Sequence, residues 1–249
     1  EALKLKSMPR GQFRIEGEAR PRELKGPDVT LFQPIHLLVH EAHSQVHDRD
    51  MDRTADSCVA VFNAAQAIDD YPTLLAQLIR VAAEVMATNV IERALGQTEM
   101  SDAKLQTLQA ALDRAAAHDG MHAAMRGERL FIVDFYTQLR EGKISVTEGM
   151  GAPSADLRGR VFDLFPGIVL KNYPTELRLW NEMVRTAKLN DGERLAAFED
   201  IRVKLPNPIL PTGTYYIVGQ AQGYCQDKAR IRCTVVAVAA ERYRLKHQR

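Results

Sequence analysis

Three observations on this 249-residue sequence predict an all-α fold of antiparallel helical hairpins, a bundle or short solenoid-like array backed by a second helical layer. Apolar residues recur at three- and four-residue steps from Ile35 to Leu139, and strand-like alternation is confined to 215–219. Only Pro72 falls between Pro34 and Pro153, so the middle of the chain is almost free of helix breakers. Aromatics make up 6% of the chain, while Ala and Leu are abundant and β-branched runs few, a composition that favours helix.

In chain order, Pro9, Pro21 and Pro27 with interleaved Arg and Gly make 1–33 an extended, largely irregular arm docked by its few apolar residues. Pro34 suits the first turn of a helix over 34–47 carrying Ile35, Leu38, Val39, Ala42 and Val46. The acidic stretch 48–52 reads as a turn that caps a second helix bearing Ala55, Val59, Phe62 and Ala65. Thr73 opens a long third helix, whose broad apolar stripe from Leu74 and Leu75 to Leu95 needs two neighbours and stops at Gly96. Ser101 caps a fourth helix with Leu105, Leu108 and Leu112 on one face. A fifth runs over 120–139 through Met125, Leu130, Val133 and Phe135. Short connections make such helices antiparallel neighbours, so 34–139 forms a hairpin core. The Gly- and Pro-rich stretch 140–172 is expected to be a loop-rich connector with one short helix near 156–165 and to mark the boundary of the core. A C-terminal layer over 173–249 follows: a helix pair at 175–188 and 191–205, then a terminal helix over 225–247 with Val235, Val236, Val238 and Ala239 inside.

Composition excludes several function classes. The 33 basic residues face 32 acidic ones for a net charge of +1, so no overall field recruits nucleic acid or anionic lipid. Apolar residues at 45% and charged residues at 26% sit at the globular average, against disorder or a membrane-embedded chain. The longest uncharged stretch, 205–226, is broken by Pro206, Pro208, Pro211 and three glycines, so no spanning helix is expected there and membrane attachment would need a segment outside this chain. Cys225 and Cys233 on one helix would stand about 12 Å apart, too far for a disulfide.

The runs Tyr71-Pro72-Thr73-Leu74-Leu75, Leu78-Ile79-Arg80-Val81-Ala82 and Ile91-Glu92-Arg93-Ala94-Leu95 carry a resemblance, as do Arg126-Gly127-Glu128-Arg129 and Ala240-Glu241-Arg242-Tyr243-Arg244-Leu245. Spread over about half the chain, they resemble a helical family of uncharacterised planctomycete envelope proteins. The resemblance implies an all-helical, extracytoplasmic or periplasmic protein. It also implies an N-terminal membrane anchor and, after the Glu-Arg-Tyr-Arg helix, often a pseudopilin-like tail, both outside these residues. It implies no activity.

The chemistry-bearing pattern is a histidine stripe. His36, His40, His43 and His47, four of the seven histidines, fall within roughly 60° of one another on the first helix. They make two i,i+4 pairs, each able to offer two imidazoles to a transition metal, with Asp48 or Asp50 as a further ligand; His118 and His122 form a third pair. The bland alternative is a polar helix margin whose imidazoles are satisfied by carbonyls and carboxylates. Neighbouring imidazoles repel once protonated, so their pKa values are expected to lie below the usual value.

Other look-alikes fail on spacing. His40-Glu41-Ala42-His43 lacks the four-residue separation of a zinc protease helix, and a calcium loop from Asp48 has Arg53 where Gly must turn and Val59 where Glu must chelate. Gly149-Met150-Gly151 has no strand before it, and Cys58 lies on an apolar face. Arg126, Glu128, Arg129 and Asp134 read as an ion-pair network, as do Glu241, Arg242 and Arg244; Tyr215, Tyr216 and Tyr224 read as interface residues. With no catalytic constellation recognised, the expectation is a non-enzymatic structural or protein-interaction scaffold of the cell envelope, without a resident cofactor, acting through a protein partner or self-association and not on nucleic acid. The alternative is a metal- or haem-binding protein, open to being an enzyme, built on the histidine stripe.

Overall fold

A computed structural model of the chain describes residues 2–8, 32–69, 71–97, 99–150, 157–204 and 214–247. Among these residues the fold is all-α, with eleven α-helices and no strand. The arm begins as a 3-10 helix, Ala2–Ser7, whose Leu3 and Leu5 pack on the first core while Asn63 Nδ2 donates to the Leu5 carbonyl at 2.8 Å. The rest of the arm, 9–31, lies outside the described residues.

Helix α1, Phe32–His47, starts before Pro34, which sits in its first turn. Arg49, in the left-handed region at φ 59°, turns the chain into α2, Met51–Gln66. Asp50 accepts from the Arg53 amide at 3.2 Å, so the acidic stretch is the capping turn its spacing predicts. Helix α3, Leu74–Leu95, is capped by Thr73 Oγ1 on the Ala76 amide at 3.2 Å and closed at Gly96. Helix α4, Asp102–Ala117, follows Ser101, but that hydroxyl makes no cap bond; it donates to Asp52 at 2.9 Å and ties the start of α4 to α2. Helix α5 runs Met121–Arg140.

The connector is more ordered than its glycines and prolines predict. It forms three short helices, α6 (Val146–Met150), α7 (Leu157–Leu164) and α8 (Pro166–Leu170), because Val146, Phe162 and Val169 find their own small core against Phe135, Tyr136 and Leu139 of α5. Gly149 and Met150 are therefore helical, and Gly151 lies outside the described residues. Helices α9 (Tyr173–Thr186) and α10 (Asp191–Lys204) form the expected pair. Helix α11, Thr214–His247, begins well before Cys225 and absorbs the strand-like stretch; its 34 residues reach about 50 Å. Val236 is exposed on it, whereas Val238 is buried.

Two large cores share a spine. The first joins α1, α2, the second half of α3, α4 and the second half of α11. The second joins the first half of α3 to α5, α9, α10 and the first half of α11. The cores therefore meet across α3 and α11 rather than at the connector. Helix α3 has the length and apolarity of a membrane span, yet α1, α2, α5 and α11 all pack on it, so those apolar faces fill the cores.

Candidate functional site

Where the two cores meet, α3 buries a polar stripe. Gln77, Arg80, Glu84 and Thr88, at steps of three and four residues, are all fully buried. Arg80 Nη2 lies 2.7 Å from Glu84 Oε1 and Nε lies 2.5 Å from Asp69 Oδ1, close ion pairs that meet the distance but not the angles of hydrogen bonds. Lys228, 3% exposed on α11, faces the same seam and donates to the Ala115 carbonyl in the last turn of α4. Burial pushes the Glu84 carboxyl up against the opposing pull of Arg80 and Lys228, and pushes the Lys228 ammonium down to about 8. Gln77 donates to the Asp69 and Tyr71 carbonyls, closing the loop between α2 and α3.

The seam opens into a cleft of about 420 Å³ at the α4–α5 joint, lined by His118, Asp119, Lys188, Arg194, Lys228 and Arg232 among others. Arg194, 3% exposed, grips Asp119 through both terminal nitrogens, at 3.1 and 2.5 Å, and donates to the Leu189 carbonyl through Nε and Nη2. This bidentate clamp locks α10 to the α4–α5 joint. Asp191 accepts ion pairs from Arg194 and Arg232. Tyr224 lies inside, its hydroxyl accepting from the Gly120 amide at 3.2 Å, so it is an internal strut and not an interface residue. The side chains of Tyr215 and Tyr216 lie outside the described residues.

The histidine pattern resolves differently. His36, His40 and His47 stand exposed along α1, and His43 is part-buried, its Nδ1 having no hydrogen-bond partner among the described residues. Burial, Arg93 and His40 all push the His43 imidazole down. His118 and His122 do not share a helix: His118 caps α4 in extended backbone at ψ 133°, and His122 belongs to the first turn of α5. The break at Asp119-Gly120 turns His118 inward, towards Gln77 Oε1 at 3.4 Å and Asp69 Oδ2 at 3.6 Å. Among the described residues no three His, Cys, Asp or Glu side chains converge on a metal-sized site.

Elsewhere Cys58 is a core residue, its thiol pushed up to about 12 by burial. Glu128 pairs with no arginine of its own helix; its carboxylate accepts the Leu74 amide at 2.8 Å and caps α3, and Asp134 accepts from Gln138. Arg242 and Arg244 do form the expected ion pairs, with Asp102 and with Glu99 and Glu241. Gln77, Arg80, Glu84 and Thr88 have the ordinary helical spacing of a polar stripe, and spacing alone does not mark them as buried. Apolar residues flank the stripe on both sides, while Leu75, Asn89, Glu92 and Arg93 keep another side of α3 open to solvent.

Acid sensitivity follows from His118. Burial, Arg80 and Lys228 push its imidazole down to about 4 despite Asp119. The unfolded chain then binds more protons between about pH 6.5 and 4, so this stabilising contribution is complete above that window and lost as pH falls through it. From pH 7 to pH 5 the His118 contribution to the unfolding free energy is expected to fall by about 2 kcal/mol, opposed by Glu84, whose raised carboxyl takes up protons in the folded chain over the same window. In denaturant titrations the stability of the wild type relative to His118→Gln should fall by that amount between pH 7 and pH 5; a difference that stays constant over this range would assign the pH dependence to other groups.

No family model, curated protein or solved structure matches this chain.

Proposed function

We propose that this chain is a non-enzymatic interaction module of the cell envelope that docks on a protein partner through the apolar tip of α7 and α8. The observation that carries the reading is the exposure of four large apolar side chains there: Val161, Leu164, Phe165 and Ile168 are 43, 74, 60 and 46% exposed. The same two helices are held in place from the other side, by Phe162 and Val169 in the α5-based core and by Asp163 accepting from the Thr147 amide at 2.9 Å and its hydroxyl at 2.6 Å. A seated tip with outward apolar side chains supports docking, since burying each contributes about 1.5–3 kcal/mol. The envelope setting rests on the family resemblance.

Co-purification of detergent-extracted native material, with sedimentation of the isolated chain, tests this reading. The wild type is expected to carry a stoichiometric protein partner, a second copy included, and Leu164→Asp/Phe165→Asp to lose it while keeping its helical dichroism and melting temperature. A wild type that carries nothing and stays monomeric overturns the reading. So does tip-dependent binding to lipid vesicles in place of protein.

A further inference from the structure

We propose that the cleft at the α4–α5 joint is a binding site for a small molecule bearing a compact, multiply charged oxyanion, a phosphate ester or a di- or tricarboxylate. Lys188, Arg194, Lys228 and Arg232 line it against Asp119 and Asp191, and His118 is held uncharged at neutral pH. Behind the wall Arg80 faces Glu84 and Asp69, so seam and cleft together keep one positive charge in excess.

The donors are arranged unequally. Arg194 is spent on Asp119, Asp191 and the Leu189 carbonyl, and serves as scaffold. Lys228 is the opposite case: a buried ammonium with three N–H donors whose one hydrogen-bond acceptor among the described residues is the Ala115 carbonyl, on the wall of an open cavity. A buried donor without an acceptor is costly, and an oxyanion in the cleft supplies one. Lys188 makes no ion pair among the described residues, and Arg232, half exposed, has Asp191 as its carboxylate. These two cations stand at the mouth, where they can close on the outer oxygens of an anion held by Lys228. Helix α10 begins at the same rim, with Asn190 Oδ1 already accepting from the Glu193 amide and Asp191 at its first position, so the lysine and arginine side chains hold the anion. A volume of about 420 Å³ exceeds what a bare ion needs and suits a small metabolite carrying the anionic group.

Titration calorimetry at low ionic strength with inorganic phosphate, pyrophosphate and citrate tests the site. At least one probe is expected to bind with a single site per chain, and pyrophosphate against citrate separates the phosphate from the carboxylate source. The exposed variants Lys188→Gln and Arg232→Gln should each weaken binding about tenfold and leave the melting temperature unchanged. Lys143→Gln, an equally exposed cation on the turn after α5, should not affect binding. Absence of binding to all three probes at millimolar concentration overturns the proposal, as does equal weakening by Lys143→Gln or an affinity indifferent to the double variant Lys188→Gln/Arg232→Gln.

Discussion

Replacing Arg80 by Met is expected to destabilise the protein by about 3–5 kcal/mol, because it leaves Glu84 buried beside one remaining cation. Arg80 and Glu84 are both fully buried, so water cannot take over the lost partner. Asp69 is affected less, since about a third of its side chain is exposed. The loss should be in the pairing and not in the volume, because Met fills much of the space of the arginine stem. The double variant Arg80→Met/Glu84→Gln is therefore expected to recover at least half of the deficit, as removing both buried charges is far less costly than stranding one. Urea unfolding of the four-member cycle measures this directly. A single Arg80→Met cost below about 1 kcal/mol, or a double variant no better than the single, would show that the seam is hydrated or that Arg80 is held by other means.

Gly127→Ala is expected to cost about 2–4 kcal/mol, against the gain of about 1 kcal/mol that helix propensity alone assigns to this change. A Cβ at Gly127 would stand 1.6 Å from the Pro72 carbonyl oxygen and 2.8 Å from its carbon, and a backbone group cannot swing aside as a side chain does. Helix α5 and the turn before α3 would have to separate. The separation would also pull the neighbouring Glu128 carboxylate from the Leu74 amide, its capping partner at 2.8 Å. Glu128→Ala isolates that second part and should cost about 1 kcal/mol. Melting and urea transitions of the two variants separate crowding from capping; a neutral or stabilising Gly127→Ala would show that the two segments do not touch.

The helices were legible in the sequence wherever the cause is local. Thr73 and Gly96 mark the ends of α3, Asp50 the start of α2, and the three- and four-residue steps of Leu105, Leu108 and Leu112 the inner face of α4, because periodicity, caps and breakers act within a few residues. The connector was not legible: Gly149, Pro166 and Gly167 speak for loops, and only contact with Phe135, Tyr136 and Leu139 on α5 makes α6 to α8 worth forming. The His118/His122 spacing of four residues suggested one helix face, but the chain breaks between them and aims His118 at α3.

By itself, the sequence determined an all-α chain, most helix ends, the core roles of Cys58 and Phe62 and the capping role of the acidic turn. Which face of α3 is dry, and where the cleft lies, were decided by tertiary structure alone. Arg80 and Glu84 have the spacing of a solvated pair, and they are buried because α11, far along the chain, crosses α3 and brings Lys228 to the seam. Local pattern reports which residues share a side of a helix. Whether that side meets water or another helix is a non-local fact, set by the packing of segments that only the folded chain brings together.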